Sequence, residues 1–308
     1  MAIELSIMIE GQDGLTWERW QRLVRAAEDM GFAGIYRSDH FSNPNGPYKD
    51  ALETWLSLGW VADNTERISF GTLVSPASFR NPAILAWQAS AIDALAGGRL
   101  RLGLGAGWQE REHSSFGFPL GNLDERFQRL EEALVVIRQL TRSDEPTSFS
   151  GDYFTLNEAY LQPRSPRESG GPAIVIGGNG PRRTLPLVAK YADEWNAVGL
   201  VLGDFVERAE RLDQLLDGLG RERSSVKRTL MVQAPIGKDE ADLAARYSAE
   251  TIARQRERGS LIGTPAELVE QLGRYAEAGI EGVQLQFWNQ TDFEGLEMFA
   301  SQVMPQLA

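Results

Sequence analysis

Cysteine is absent from the 308 residues, and histidine occurs only twice. The lack of cysteine excludes disulfide bonds, a thiol nucleophile, iron–sulfur clusters and cysteine-ligated zinc, and it predicts a reducing compartment, the cytoplasm. The two histidines, His40 and His113, lie 73 positions apart without an HExxH pattern, so no metal site is expected. A serine within a G-x-S-x-G turn is also missing, which argues against a Ser-His-Asp hydrolase.

Long apolar runs and clusters of basic residues are missing as well. No apolar run approaches the ~18 residues of a membrane-spanning helix, and the first residues lack the basic and apolar segments of a signal peptide. The net charge is -12, with 31 Lys and Arg scattered among 43 Asp and Glu. We therefore expect no nucleic-acid or membrane partner and instead a small-molecule substrate, while a local arginine patch could hold one small anion.

Short apolar runs alternate with longer amphipathic segments along the whole chain. Eight such units in roughly 300 residues are typical of a (β/α)₈ TIM barrel, and no linker-like stretch divides them. We predict an α/β fold: a single barrel domain over residues 1–308 with an insertion at about 147–172 that starts as a β-hairpin. A doubly wound open sheet is the alternative, and the strand count favours the barrel. The predicted strands are 3–9, 32–36, 68–74, 100–104, 173–176, 194–197, 228–234 and 282–287.

Active sites of TIM barrels lie where the strands end, so the residues that follow each strand are the first candidates. The second strand is followed by Asp39 and His40, a carboxylate beside an imidazole whose ordinary pKa suits proton transfer near neutrality. A histidine that only hydrogen-bonds its own loop is an equally good interpretation of this spacing.

The fourth strand ends in a glycine-rich turn and a long loop that carries Trp108, Glu110, Arg111, Glu112 and His113. Glycines at such a turn allow a ring or a phosphate to approach the backbone closely. The spacing is not a dinucleotide fingerprint, because the third glycine that would open a helix is absent. A solvated cluster of ion pairs is the alternative interpretation of the charged residues.

The fifth strand runs into Gly177-Gly178-Asn179-Gly180, and a helix is predicted from about Pro181. Amides exposed at a helix start and opened by glycines form an anion site, and a phosphate is the expected ligand. Nearby arginines would add positive charge, whereas an ordinary glycine-rich turn with solvated arginines is the alternative. These arginines are Arg164, Arg167, Arg182 and Arg183.

Taken in order, these segments resemble the luciferase-like monooxygenase superfamily, and more closely its branch of coenzyme F420-dependent oxidoreductases. The order and spacing of the motifs carry the resemblance, which runs through nearly the whole chain. The motifs are AAEDMGF (26–32), SDHF (38–41), FRNP (79–82), GGRL (97–100), GLGAGW (103–108), IGGNG (176–180), ADEWN (192–196) and GTP (263–265).

The resemblance implies a (β/α)₈ barrel that holds a deazaflavin or flavin at the carboxyl ends of its strands, usually as a homodimer. It implies a non-proline cis peptide at the bond matching Thr72-Leu73, behind the cofactor ring, and it places Asp39 and His40 near the reactive ring carbon. His40, Asp39 and Glu112 are then the predicted catalytic residues. The predicted cofactor-binding residues are Asp39, Thr72, Leu73, Gly107, Trp108, Gly177, Gly178, Asn179 and Gly180.

One departure from the family pattern concerns the proton donor. In the sugar-phosphate dehydrogenases that this chain resembles, a glutamate directly follows the glycine-rich strand end, whereas Trp108 stands at that position here. The departure argues against a glucose-6-phosphate activity and leaves Glu110 and Glu112 as substitutes.

The leading hypothesis is a coenzyme F420-dependent oxidoreductase in which His40 supplies or steers the proton that accompanies hydride transfer to or from a small organic substrate. The alternative is a two-component flavin monooxygenase in which reduced FMN activates oxygen on the same scaffold. A third hypothesis, from another class, is a non-catalytic barrel that binds the cofactor as a carrier.

Overall fold

Eight parallel strands close into a barrel in the computed structural model, which describes residues 3–168, 170–258 and 260–307. The first strand pairs with the last, and Phe70 and Gly71 of the third strand pair with Leu100 and Arg101 of the fourth, so the sheet has no open edge. This closure confirms the predicted TIM barrel and excludes the doubly wound sheet. The eight barrel strands comprise nine segments, because β3 and β4 are two parts of the third strand. The segments are β1 (Glu4–Ile9), β2 (Gly34–Arg37), β3 (Ser69–Thr72), β4 (Ser75–Pro76), β5 (Leu100–Gly105), β8 (Ala173–Gly177), β9 (Glu194–Val198), β10 (Lys227–Gln233) and β11 (Gly282–Phe287), and an outer hairpin is formed by β6 (Thr147–Ser150) and β7 (Thr155–Ala159).

Helices surround the barrel in the order expected for repeated βα units. A short helix, α4 (Glu110–Phe116), lies in the segment after β5 that was predicted to be a loop. Two more, α8 and α9, lie between β10 and the helix before β11. The helices are α1 (Trp17–Asp29), α2 (Thr54–Asn64), α3 (Pro82–Leu95), α4 (Glu110–Phe116), α5 (Leu123–Arg142), α6 (Thr184–Tyr191), α7 (Leu202–Gly218), α8 (Glu240–Arg246), α9 (Ala249–Glu257), α10 (Pro265–Glu277) and α11 (Phe293–Met298), the last continued by a π-helical turn over Phe299–Val303.

The third barrel strand is interrupted, between β3 and β4, by a bulge with a cis peptide bond at Leu73-Val74. The predicted position, Thr72-Leu73, is therefore wrong by one residue. Thr72 still belongs to the ladder, because it pairs with Arg37 and its hydroxyl donates to Gly103 O at 2.8 Å and accepts from Gly103 N at 3.1 Å. The chain leaves the ladder only after Thr72.

Two layers fill the barrel interior. The layer nearer the carboxyl ends is a small apolar cluster of Met8, Tyr36, Leu73 and Val175. The layer below is polar: Asn196 and Glu194 project from β9, and their neighbours on β5, β10 and β11 are Arg101, Thr229 and Gln284. Burial raises the pKa of Glu194, against the opposing charge of Arg101 and the hydrogen bond from Thr229.

The large apolar side chains lie outside this interior, between the strands and the helices. Trp20, Phe32, Phe70, Trp195 and Phe205 are fully buried there. Trp195 stacks on Phe205 with ring centroids 5.5 Å apart. Alternation along each strand thus sends one set of side chains to the helices and the other into the barrel, which leaves the carboxyl ends of the strands free to form a site.

The predicted hairpin insertion is confirmed as β6 and β7, which pair with each other and not with the barrel sheet. Its turn is held by Glu132 of α5, whose carboxylate accepts hydrogen bonds from the backbone amides of Asp152, Tyr153 and Phe154 at 2.8 to 3.1 Å. The hairpin therefore sits on the outer surface of α5.

Among the described helices, none combines the length and the apolar composition that a membrane span requires.

Candidate active site

A cavity of about 780 Å³ opens at the carboxyl ends of the barrel strands. Its floor is the apolar cluster of the barrel interior, and its walls come from the loops after β1, β2, β5, β8 and β11. Predicted residues His40, Leu73, Gly107, Trp108, Gly177 and Gly178 all line it, together with Met8, Glu10, Gln12, Asp13, Val74, Thr184, Asn196, Val198, Met231 and Trp288.

His40 and Glu112 form the central polar pair of the site. His40 Nδ1 lies 2.7 Å from Glu112 Oε1, and Glu112 is fully buried. A carboxylate only accepts hydrogen bonds, so Nδ1 carries the proton and Nε2 is the atom left to exchange a proton with a ligand. Burial alone would lower the pKa of His40, but the hydrogen bond and charge of Glu112, with smaller contributions from Glu10 and Asp39, raise that pKa above its ordinary value of 6.5.

Helix α4 brings Glu112 to His40. The helix starts after Gln109, whose side-chain amide donates to Ser42 O at 2.7 Å and so ties the helix to the loop after β2. Phe116, near the end of the same helix, stacks on Phe41 with ring centroids 4.6 Å apart. These contacts hold the loop after β2 against α4 at both ends of the helix.

Trp108 forms the wall beside His40. It follows Gly107, whose φ of +81° favours glycine, and its ring meets the imidazole edge-on with centroids 5.8 Å apart. The side chain is 58% exposed, toward the cavity mouth. Arg126 of α5 donates to Gly107 O at 3.3 Å, which brings a cation close to this turn.

Asp39 is buried behind the cavity rather than at its surface. Its carboxylate accepts hydrogen bonds from Ser75 Oγ at 2.6 Å and from Arg80 Nη1 at 2.5 Å. It therefore links the end of β2 to β4 and to the turn before α3. Thr72 is likewise engaged within the sheet, whereas Leu73 reaches the cavity floor.

The glycine-rich end of β8 differs from the expected helix start. Helix α6 begins at Thr184, about three residues later than predicted, because residues 181–183 form a turn. Gly177 and Gly178 line the cavity, and so does Thr184, which sequence reasoning missed. The Asn179 side chain instead bonds the backbone N and O of Val198 at 2.9 and 2.7 Å, and Gly180 packs against Thr184.

The expected arginine patch is not assembled at this turn. Arg164 pairs with Asp144, and Arg167 donates to Leu100 O at the amino end of β5, so both lie at the opposite end of the barrel. Arg183 is paired with Asp124. Arg164 and Arg167 lie far from the site because the long connection through the insertion returns to the amino ends of the strands. Arg126 of α5 approaches the site instead.

A second polar network, also missed, spans the ends of β1, β2 and β11. Glu10 accepts hydrogen bonds from Gln12 Nε2 at 2.9 Å and from Gln286 Nε2 at 2.5 Å. Gln12 Oε1 accepts in turn from Ser38 Oγ at 2.6 Å. The sequence gives little indication of this network, because its residues are isolated polar positions, far apart in the chain, with no common spacing.

No group of three or more His, Asp or Glu side chains able to hold a metal ion occurs within residues 3–168, 170–258 and 260–307.

A closed parallel barrel with its cavity at the carboxyl ends of the strands is the arrangement of TIM-barrel enzymes. The profile of the luciferase-like monooxygenase family matches residues 6–258, and the chain belongs to this family.

Its relatives include proteins named for coenzyme F420. The F420-dependent glucose-6-phosphate dehydrogenase of Intrasporangium calvum is 28% identical over 91% of this chain and 92% of that protein. The F420-dependent hydroxymycolic acid dehydrogenase of Mycobacterium tuberculosis is 34% identical over 72% of this chain and 61% of that protein. The pyrimidine monooxygenase RutA of Enterobacter cloacae is 29% identical over 94% of this chain and 89% of that protein.

Solved structures agree with the fold. An F420-dependent secondary alcohol dehydrogenase in complex with an F420-acetone adduct superposes with a TM-score of 0.84 at 20% identity, over the full length of both chains. The F420-dependent tetrahydromethanopterin reductase from Methanopyrus kandleri superposes with a TM-score of 0.81 at 17% identity, also over both full chains. At these identities the likeness shows the barrel fold alone.

Proposed function

We propose that this protein is a coenzyme F420-dependent oxidoreductase that transfers hydride between the deazaflavin and a small alcohol or carbonyl substrate. The observation that carries the proposal is the His40–Glu112 pair, whose Nδ1 to Oε1 distance of 2.7 Å leaves Nε2 as the proton-exchanging atom of the cavity. The relatives named for coenzyme F420 support the choice of cofactor.

The residues of the cavity fit a planar ring. A Cβ added at Gly105 would lie 2.6 Å from Val74 Cγ2, and one at Gly177 would lie 3.0 Å from Val74 Cγ1. Val74 therefore packs directly on the backbones of β5 and β8, and together they form a smooth apolar surface against which a ring can lie. Asn196 lies at the base of the cavity, where its side-chain amide donates to Thr229 Oγ1 at 3.1 Å and to Gln284 Oε1 at 2.8 Å.

A phosphate-bearing side chain of the cofactor would extend toward β8. Gly177, Gly178 and Thr184 line that part of the cavity. Arg126 provides a cation beside the Gly107 turn. We propose that these groups hold the phosphate, and that Asn179 and Gly180 shape the turn rather than contact it.

When bound, coenzyme F420 supplies the ring carbon that accepts or donates hydride, because the cofactor carries the redox chemistry. The residues of the chain handle the proton. In alcohol oxidation, His40 Nε2 takes the proton of the substrate hydroxyl, and in carbonyl reduction it returns that proton. Glu112 holds the imidazole in the productive orientation and stabilises its charged form, and Asp39 keeps the β4 segment behind the ring in place.

Anaerobic titration of the purified protein with F420 and with FMN tests this proposal. We expect tight binding of F420, seen as quenching of its fluorescence, and reduction of the bound cofactor by secondary alcohols. Preferential binding of FMN together with oxygen-dependent turnover would overturn it. That outcome would favour a flavin monooxygenase, which the similarity to the pyrimidine monooxygenase of Enterobacter cloacae supports as the second candidate.

We also propose that residues 1–308 form one functional domain, because β1 and β11 pair directly although they lie near opposite ends of the sequence. The cytoplasmic location stays a prediction, which fractionation of the source cells tests.

A homodimer is proposed on separate grounds. The neighbouring helices α2 and α3 expose Leu56, Ile84 and Trp87 at 69, 48 and 55%, an apolar face that a second copy of the chain would cover. Sedimentation of the wild-type protein and of Trp87→Glu checks this: a dimer that becomes monomeric in the variant is expected, and a wild-type monomer would contradict it.

A further inference from the structure

The proposed cofactor site uses only part of the cavity rim. The site consists of the bulge at Leu73-Val74, the turn after β5 at Gly107 and the end of β8 at Gly177. These features belong to three neighbouring strands of the barrel. The remaining arc, formed by β9, β10, β11 and β1, is left for the substrate. This arc adjoins β2, which carries His40.

The substrate arc presents the carboxylate of Glu10 to the cavity. The Glu10 side chain is partly buried in the cavity wall, and both of its oxygens are oriented by side-chain amides, those of Gln12 and Gln286. Each carboxylate oxygen can accept more than one hydrogen bond, so Glu10 retains acceptor capacity. A fixed acceptor of this kind recognises a hydroxyl or N–H group of a ligand.

The same arc offers no free positive charge. Among the described residues that line the cavity, Lys49 is the single lysine or arginine, and its ammonium group is already paired with Asp13. Arg258 lies nearby but lines a separate cavity of about 260 Å³ on the other side of Met231 and Gln286. A phosphate or carboxylate group on the substrate, entering along this arc, would meet Glu10 and Asp13 instead of a free cation.

Two exposed indole rings border the space left for the substrate, Trp288 after β11 and Trp108 beside His40. Trp108 and Trp288 line the cavity with exposed fractions of 58% and 51%. Proline side chains at Pro44 and Pro47 add apolar surface near the mouth. Large exposed apolar surface in a cavity marks a ligand with an apolar body.

We propose that the substrate is an uncharged alcohol or ketone with an apolar body and a second hydroxyl group, and that Glu10 determines this specificity by accepting a hydrogen bond from that hydroxyl and repelling anions. The inference rests on the proposed function and narrows its substrate class. The balance of the reaction is unchanged: the carbinol C–H leaves as hydride to F420, and the carbinol O–H proton passes to His40.

Three matched probes test the proposal on the F420-loaded wild-type enzyme: cyclohexanol, trans-1,2-cyclohexanediol and 2-hydroxycyclohexyl phosphate. They share the ring and a secondary carbinol and differ in the second substituent, and kcat/KM for the diol is expressed per carbinol because the diol has two equivalent ones. We expect kcat/KM for the diol to exceed that for cyclohexanol about tenfold, as one charge-assisted hydrogen bond would give. The phosphate ester should fall about 100-fold below the diol, because a like charge next to a carboxylate is rejected.

Glu10→Gln then assigns the selectivity to Glu10. In this variant the advantage of the diol should shrink severalfold and the penalty on the phosphate ester should fall about tenfold, mainly through KM. Quenching of tryptophan emission by each probe gives its dissociation constant without turnover, and F420 affinity measured in the same samples shows whether the site has kept its fold. Glu207→Gln on the exposed face of α7 is the control and should match the wild type.

The outcomes separate this inference from the function on which it rests. If the enzyme binds F420 and prefers the phosphate ester, or if Glu10→Gln leaves the ratio among the three probes unchanged, the specificity proposal is overturned while the function stands. If F420 does not bind, the proposed function fails, and the substrate class derived from it fails as well.

Discussion

Glu112 receives hydrogen bonds from two successive residues of one loop: His40 Nδ1 at 2.7 Å on one oxygen and Phe41 N at 2.9 Å on the other. Both partners are therefore positioned by a single buried carboxylate. The imidazole is locked in one tautomer, with Nε2 as the atom that reacts. Glu112 does not need to touch a substrate to control the proton transfer, which makes it a positioning residue for His40.

Replacing Glu112 by glutamine should lower kcat/KM about tenfold to 100-fold and move the pH profile. Glu112 raises the pKa of His40, so its neutral replacement lowers that pKa. Alcohol oxidation requires the neutral imidazole as base, so kcat/KM for this direction rises as His40 loses its proton. In the variant this rise of kcat/KM should occur at lower pH. Glu110→Gln, on the exposed side of the same helix, is the matched control. An unshifted profile in Glu112→Gln would show that the pair does not govern the proton.

Replacing His40 by alanine should reduce kcat about 100-fold or more while F420 affinity stays within about threefold of the wild type. The reason is that His40 faces the proton of the substrate, whereas the apolar surface for the ring is formed by Val74 of the bulge and the backbones of β5 and β8. Steady-state kinetics and fluorescence titration on the same preparation measure the two quantities. Equal turnover in both proteins would remove His40 from the mechanism, and binding without turnover in both would favour a cofactor carrier.

The stability of the protein should depend on pH through His40. Its pKa is raised in the folded state, so this group stabilises the fold fully below the ordinary pKa of 6.5 and loses that contribution as pH rises through the higher folded value. Thermal unfolding between pH 6 and 9 should show this loss for the wild type and a smaller loss for Glu112→Gln. Parallel curves for the two proteins would contradict the assignment.

Replacing Gly105 by alanine should weaken F420 binding about tenfold or more. The added methyl group would lie 2.6 Å from Val74 Cγ2 and push the bulge out of the surface that supports the ring. Gly273→Ala is the control, because nothing lies within 4 Å of that position in α10 and alanine should stabilise a helix there by about 0.5–1 kcal/mol. Unchanged affinity in Gly105→Ala would place the ring elsewhere.

Much of the site could be predicted from strand ends alone. Carboxyl ends of parallel strands meet at one rim, so residues that directly follow a strand, such as His40, Gly107 and Gly177, converge whatever the loops do. The prediction worked for these residues because their position depends on the ladder. The same logic misplaced the cis bond by one residue, since the point at which a strand leaves its ladder depends on side-chain bonds such as those of Thr72.

The remaining features depend on contacts that sequence spacing does not encode. Glu112 was a candidate, but its pairing with His40 required α4, a seven-residue helix too short to give a clear periodic pattern. Glu10 is oriented by Gln286 from the far end of the chain. The predicted arginine patch was wrong for the opposite reason. Arg164 and Arg167 are close to β8 in sequence but lie at the other end of the barrel from its glycine-rich turn.

The turn of the hairpin formed by β6 and β7 is bonded to α5 through the carboxylate of Glu132, and the hairpin shares no ladder with the barrel sheet. Its length and sequence can therefore change without altering the register of any barrel strand. A peptide tag or a reporter domain inserted between Gly151 and Asp152 would be displayed on the outer wall, away from the catalytic mouth, and would provide a handle for surface attachment of the active enzyme.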